Sequence, residues 1–307
     1  MKIKHLLCFI ALCLFFTPGK AQQLSVMTLR NGATVYIWED KSKPDVFGMI
    51  AFKVGSVDDP EQYTGLAHYL EHVMFKGTQT IDALDWEKEK PIYEKIIAKY
   101  DERAALSDPA AREAVDKEIN DLTREAAQYA AGNEFSLLVD HMGGQGLNAS
   151  TGYDQTEYHN SFPPSQLEKW LEIYSERLID PVFRGFQTEL EAVYEEYNMY
   201  NDDRGSRMRE FIYEQAFGDH PYARPIIGLP EHLKNPQLSK LIDFYNTWYG
   251  PQNMSIILVG NIDAKEAIPM IRDKFERVPR RAEIHREKKP VRQFKGRTEK
   301  SAKIFYY

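Results

Sequence analysis

Five consecutive residues, His68-Tyr69-Leu70-Glu71-His72, combine side chains that bind metals with one that moves protons. The two histidines are four apart, so on a helix both imidazoles lie on one face, one turn from each other, within reach of a single metal ion. Glu71 stands directly before the second histidine, where its carboxylate can address a metal-bound water instead of the metal. The order H-x-x-E-H reverses the more common H-E-x-x-H arrangement of catalytic zinc helices. The chemistry on offer is hydrolysis by a metal-activated water, with His68 and His72 as ligands and Glu71 as general base. Histidine pairs also occur as satisfied core or surface residues, so the reading depends on a third ligand and on the surrounding elements.

Catalytic zinc usually takes three protein ligands and keeps one position open. A helix expected over 186–200 supplies Glu189, Glu191, Glu195 and Glu196. Helical spacing sets Glu189, Ala192, Val193, Glu196 and Tyr200 on one largely apolar, inward face, and Glu191, Glu195, Asn198 and Asp202 on a polar, solvated one. A carboxylate on an apolar face is costly unless paired or bound to a cation. Glu189 and Glu196 are therefore both candidates, and spacing alone does not rank them. Glu191 and Glu195 read as surface charge.

The elements that must position these groups follow from periodicity and punctuation. Segments 26–29, 34–38 and 47–54 are β-rich, with Asn31-Gly32 as a tight turn between the first two. The metal helix is expected from Thr64 to about Phe75, stopped by Gly77-Thr78. Residues 82–131 are rich in Ala, Glu, Lys and Arg with helical apolar spacing, broken at Ser107-Asp108-Pro109, and read as a two-helix hairpin with a solvated charged face; a partner-binding role is the alternative. Gly143-Gly144-Gln145-Gly146 lacks the spacing of a phosphate loop. It leads into a segment, 147–159, that alternates like one strand. Helices are expected over 165–178, 186–200 (with Thr188 and Glu191 as a capping box), 211–217, 238–249 and 264–275, with a buried strand at 254–260. Strands early, helices after them and strands returning late predict an α+β fold, a mainly antiparallel sheet with helices packed on one face.

Bulk properties narrow the function further. Met1-Lys2-Ile3-Lys4, an apolar run from Leu6 to Phe16 and Thr17-Pro18-Gly19-Lys20-Ala21 read as a signal peptide over 1–21, which predicts an exported, periplasmic or secreted protein with no integral membrane segment after cleavage. Both cysteines, Cys8 and Cys13, lie in that peptide, and neither follows the small residues a lipid anchor needs. A mature chain without cysteine excludes a disulfide scaffold, a thiolate metal site and a cysteine nucleophile. Losing Lys2, Lys4 and Lys20 takes the formal charge from −7 to −10, and with no basic stripe nucleic acid is not an expected partner.

Several separated motifs resemble one family. Gly65-Leu66-Ala67-His68-Tyr69-Leu70-Glu71-His72-Val73-Met74-Phe75-Lys76-Gly77-Thr78 is similar to the zinc helix of the pitrilysin/insulinase-type inverzincin metallopeptidases, which include insulin-degrading enzyme and the mitochondrial processing peptidases. Asn148-Ala149, Thr151, Asp154-x-Thr156-x-Tyr158 resemble that family's edge strand, and Glu189 through Glu196 its second metal helix. His220-Pro221-Tyr222 and Tyr249-x-Pro251-x-Asn253-Met254 extend the likeness over roughly residues 25–275.

The resemblance implies a processing-peptidase-like fold binding one Zn²⁺ per chain. In it Glu196 is the third ligand and Glu189 supports the site from behind. The long gap between His72 and Glu196 departs from the family pattern, and the hairpin, taken as an insertion over 82–134 of a peptidase domain spanning 22–280, accounts for it. The implied function is zinc-dependent endopeptidase action on peptides or small proteins, with Glu71 as base. Asn148, Ala149 and Thr151 would pair with an extended peptide, although the same strand also reads as an ordinary edge strand. Family members resemble a clamshell of two related halves. Residues 281–307, a basic linker ending on Ala302-Lys303-Ile304-Phe305-Tyr306-Tyr307, read as the start of a second, incomplete domain, so a second peptidase-like half, in cis or in trans, is an expected partner. The rival reading is a non-catalytic or partner-dependent peptide-binding half of a two-chain peptidase.

Overall fold

The structure, a computed structural model, describes residues 23–284 and 286. The signal-peptide reading of 1–21 and most of the stretch 281–307, read as the start of a second domain, lie outside these residues.

Among the described residues six strands form one sheet: β1 (Gln23–Thr28), β2 (Thr34–Glu39), β3 (Val46–Phe52), β4 (Gln145–Thr151), β5 (Thr156–Phe162) and β6 (Met254–Gly260), in the order β1-β2-β6-β3-β5-β4. Every pairing is antiparallel except β2–β6. β1 and β2 are joined at Asn31-Gly32, as their turn chemistry requires; Gly32 sits at φ +102° and Asn31 Nδ2 donates to the carbonyls of Phe275 and Val278.

Residues alternate between buried and half-buried along β3, β5 and β6, so one face of the sheet is the core face. Val46, Ile50, Phe52, Tyr158, Phe162, Ile256 and Leu258 point into it. Helices cover that face: α1 (Leu66–Val73), α5 (Leu167–Glu176), α8 (Leu238–Trp248) and α9 (Ala264–Phe275), each with a buried apolar stripe. Helix α5 approaches the sheet so closely that a Cβ at Gly48 would lie 2.5 Å from the Trp170 ring. The buried amide of Asn160 on β5 is satisfied there, its oxygen accepting from Trp170 Nε1 at 2.8 Å and from Tyr174 Oη at 2.7 Å. The α+β architecture with helices on one face of a mainly antiparallel sheet is the one anticipated from element order.

Between β3 and β4 run α2 (Trp86–Ala105), α3 (Pro109–Ala126) and α4 (Glu134–His141). The first two form the anticipated hairpin, capped by Asp85 and Asp108. Its base is fixed by a bidentate ion pair in which Arg184 Nε and Nη2 each lie 2.7 Å from a carboxylate oxygen of the buried Glu89.

Three local readings change. The stretch 147–159 is a hairpin, since Gly152 donates to the Gln155 carbonyl at 2.7 Å and splits it into β4 and β5. Helix α6 (Phe186–Asp202) begins directly after Gly185, whose φ of +61° turns the chain into the first turn with no side-chain cap, so Thr188 and Glu191 form no capping box. Helix α7 (Arg204–Phe217) starts seven residues earlier than expected because Asp203 accepts from Ser206 N and caps it.

Candidate metal centre and active site

Helix α1 carries His68, Glu71 and His72, and its start is held from outside the helix. Asp59, six residues before Gly65, accepts from Gly65 N at 2.7 Å and from Ala67 N at 2.9 Å. These bonds satisfy two of the donors that a helix N-terminus leaves open. Burial nevertheless pushes the Asp59 carboxyl up to about 7, against the lowering effect of both bonds. Gly65 itself has φ +89°, and a Cβ there would sit 2.5 Å from the Ile227 carbonyl oxygen, so only glycine lets the 225–233 segment lie this close. Thr64 Oγ1 meets His232 Nδ1 at 2.7 Å and accepts from Leu229 N at 2.9 Å, locking the same junction.

The far side of α1 is fitted to α6. Tyr69 Oη donates to the Phe186 carbonyl, and the two rings lie 4.8 Å apart. That contact sets the relative height of the two helices, which brings the α6 carboxylates opposite the histidines. Glu196 Oε2 lies 3.5 Å from His68 Nε2 and 3.6 Å from His72 Nε2. Three donors bound at about 2.1 Å in a tetrahedral zinc site stand about 3.4 Å apart, so these spacings suit one Zn²⁺. The three ligand atoms lie within 4.8 Å of one another, and among the described residues no other such cluster of His, Cys, Asp or Glu occurs.

Glu189, one of the two carboxylates that spacing left open, sits behind the cluster. Its Oε2 is 3.4 Å from His72 Nδ1, the nitrogen turned away from Glu196, and its Oε1 is 2.6 Å from Lys76 Nζ. Glu191 and Glu195 are exposed, as expected of surface charge, but Ala192 and Tyr200, placed on the inward face by spacing, are exposed too. Glu71 is 9 % exposed and accepts a 2.6 Å hydrogen bond from Thr151 Oγ1 on β4. Asn148, Ala149 and Thr151 border the same cleft of roughly 640 Å³ that the metal cluster opens into. Among the described residues β4 is the outermost strand, and Asn148 to Thr151 on it line that cleft. His220 Nδ1 accepts from Tyr222 N and so serves a turn.

Lys76, Tyr200 and Asp59 had no assigned role from sequence, and Thr151 was assigned only to peptide pairing. Lys76 was signalled by its position one turn beyond His72, and Tyr200, whose hydroxyl hydrogen-bonds Glu196, by its place one turn beyond that residue. Asp59 and the hydroxyl contact of Thr151 depend on chain folding across the site, and no local pattern announces them.

The charges of the metal-free cluster are strongly biased. Burial, with the neighbouring His72 charge, depresses His68 to about 4. Burial also opposes charging of His72, but hydrogen bonds to Glu189 and Glu196 outweigh it and hold this imidazole up to about 9. The hydrogen bond from His72 is the main reason Glu196 falls to about 2. Burial raises Glu71, and the Thr151 hydroxyl works against that rise. At neutral pH His72 therefore carries a proton that a metal must displace. Zinc uptake at pH 7 is expected to release close to one proton, and apparent affinity to rise about tenfold per pH unit until pH reaches the His72 value, then level off. Calorimetric titrations in two buffers of different ionisation heat measure that proton; identical heats in both would contradict the assignment of His72.

With this geometry in place, comparison with known proteins gives a consistent picture. Residues 34–90 and 122–229, more than half of the chain, match the insulinase family, peptidase family M16, and residues 237–307 match the M16 inactive domain. The unmatched stretch 91–121 falls within the α2–α3 hairpin. The chain is 25 % identical over 270 residues to the probable zinc protease PqqL of Escherichia coli, covering 84 % of this chain and 23 % of that protein. It is 24 % identical over 254 residues to the zinc protease PqqE of Helicobacter pylori, covering 81 % and 46 %. The chain thus spans less than half the length of either relative. In fold it resembles the first half of the periplasmic protease PqqL, with a TM-score of 0.66 at 24 % identity over 88 % of this chain and 50 % of that one. It also resembles pitrilysin, with a TM-score of 0.65 at 22 % identity over 89 % and 25 %. The family match spans the metal helix, the edge strand and the second carboxylate helix together, and the chain belongs to the insulinase family of peptidases, M16.

Proposed function

We propose that this chain is the metal-bearing half of an exported zinc endopeptidase acting on peptides or small proteins. The observation that carries the reading is the convergence of His68, His72 and Glu196 with Glu71 beside them at the floor of an open cleft. A zinc ion bound there supplies an acidified water and polarises a carbonyl. Glu71 takes the proton of the attacking water and delivers it to the departing amine. Glu189 fixes the ring of His72 and shares its other oxygen with Lys76. The edge strand β4 around Asn148 and Ala149 would pair with an extended peptide by strand addition, which suits a chain substrate and would bring its carbonyl to the cleft that the metal cluster opens into. Export is supported by the leader-like first 21 residues and by the periplasmic relative. No helix among the described residues is long and apolar enough to cross a membrane.

The longer relatives support a requirement for a second peptidase-like half, joined to this chain or separate from it. The cleft is open, and closing it would exclude water and complete the walls. Purified 22–307 is expected to bind one zinc yet cleave peptides weakly or not at all alone, and to turn over when the complementary half is supplied. Robust turnover by 22–307 alone would overturn the partner requirement. Zinc binding without cleavage in the complete assembly would favour the non-catalytic, peptide-binding reading.

A further inference from the structure

We infer that Thr151 is a positioning residue for the general base, tying Glu71 to the strand that receives the substrate. The inference rests on the peptidase reading above and assigns to Thr151 a role distinct from peptide contact. Its hydroxyl lies 2.6 Å from Glu71 Oε2, and among the described residues no other side chain donates to that carboxylate. A hydroxyl has one proton to give. The cross-strand partner, Thr156, spends its own on the Val54 carbonyl at 2.9 Å, and stands 3.5 Å from Thr151 Oγ1 without competing for Glu71. Thr156 is wholly buried and pairs with Thr151 in the β4–β5 register, so the donor is held by a fixed neighbour.

The consequence concerns which carboxylate oxygen works. With Oε2 engaged by Thr151, Oε1 is the oxygen left to take a proton from water. Strand alternation turns Leu147, Ala149 and Thr151 to one face of β4 and Asn148 and Ser150 to the other. A peptide added along the outer edge of β4 therefore meets the same strand that orients the base, so substrate and base share one frame. Thr151 is not among the three residues that could hold the metal, so its hydroxyl restrains the carboxylate from outside that cluster.

The test compares Thr151→Val with Thr151→Ser. Valine keeps the shape and the β-branch but removes the donor; serine restores it. In the complete zinc-loaded assembly, Thr151→Val should lower kcat roughly 10- to 100-fold, the range expected for losing a hydrogen bond to a charged group. KM and zinc content should stay within about twofold of wild type, and Thr151→Ser should recover most of kcat. A second readout needs no turnover: the side-chain carboxyl resonance of carbon-13-labelled Glu71 in the metal-free chain should move in Thr151→Val and return in Thr151→Ser. An unchanged kcat in Thr151→Val, a loss confined to KM, or an unmoved Glu71 resonance would overturn the inference. If the wild-type assembly cleaves nothing, the peptidase reading fails, while the resonance still decides what Thr151 does to Glu71.

Discussion

Glu71→Gln is expected to leave one zinc bound per chain and to lower kcat by about 10³-fold, within the 10²- to 10⁴-fold that general acid–base groups contribute. The two effects separate because Glu71 is one residue from a ligand but is not a ligand. The atoms that would hold the metal are the His68 and His72 imidazole nitrogens and the Glu196 carboxylate. Glutamine fills the same space in a pocket where only 9 % of the residue is exposed, and its amide oxygen still accepts from Thr151. It has no basic oxygen to take a proton from water. Metal analysis and steady-state kinetics on the same preparation check both halves. Full activity would remove Glu71 from the mechanism, and loss of zinc would make it a structural or ligating residue instead.

Glu196→Ala carries the second large effect, and it ranks the two carboxylates that spacing alone left equal. Removing Glu196 takes away one of the three proposed ligands and leaves His68 and His72 with no anionic partner at Nε2. Glu189→Gln removes only the group behind His72 Nδ1, a change of the kind that weakens metal affinity by about 10- to 100-fold. Zinc affinity should therefore fall in the order Glu196→Ala far below Glu189→Gln, with Glu191→Ala and Glu195→Ala unchanged because both side chains are exposed. Competition against a chelator of known affinity measures the series. A larger loss for Glu189→Gln than for Glu196→Ala would exchange their roles.

The placement of the candidate residues was legible in the sequence wherever it followed from helical periodicity. His68 and His72 share a face because residues four apart do so on any helix, and the carboxylates of α6 divide into cleft-facing and solvated sets for the same reason. The inward face was drawn too wide, since Ala192 is exposed; α6 is covered along a narrower stripe than its apolar residues suggest. The capping box failed because a left-handed glycine, Gly185, starts the helix by itself, and Thr188 falls inside the first turn. The 147–159 strand was one element in pattern but two in space, because alternation continues through the Gly152–Gln155 turn. What no local pattern could give are the contacts that close across the fold. Asp59 caps a helix it does not precede directly, and Thr151 reaches Glu71 from 80 residues away. Both depend on how sheet and helices pack, and both act on the residues that would do the chemistry.

His68, His72 and Glu196 are proposed to hold one Zn²⁺ within reach of Glu71. Anomalous diffraction collected on both sides of the zinc absorption edge, from crystals of the zinc-loaded chain, tests it most directly. A single peak bounded by His68 Nε2, His72 Nε2 and Glu196 Oε2 is expected, with an open position on the Glu71 side. A peak held by other residues, or a fourth protein ligand closing that position, would contradict it.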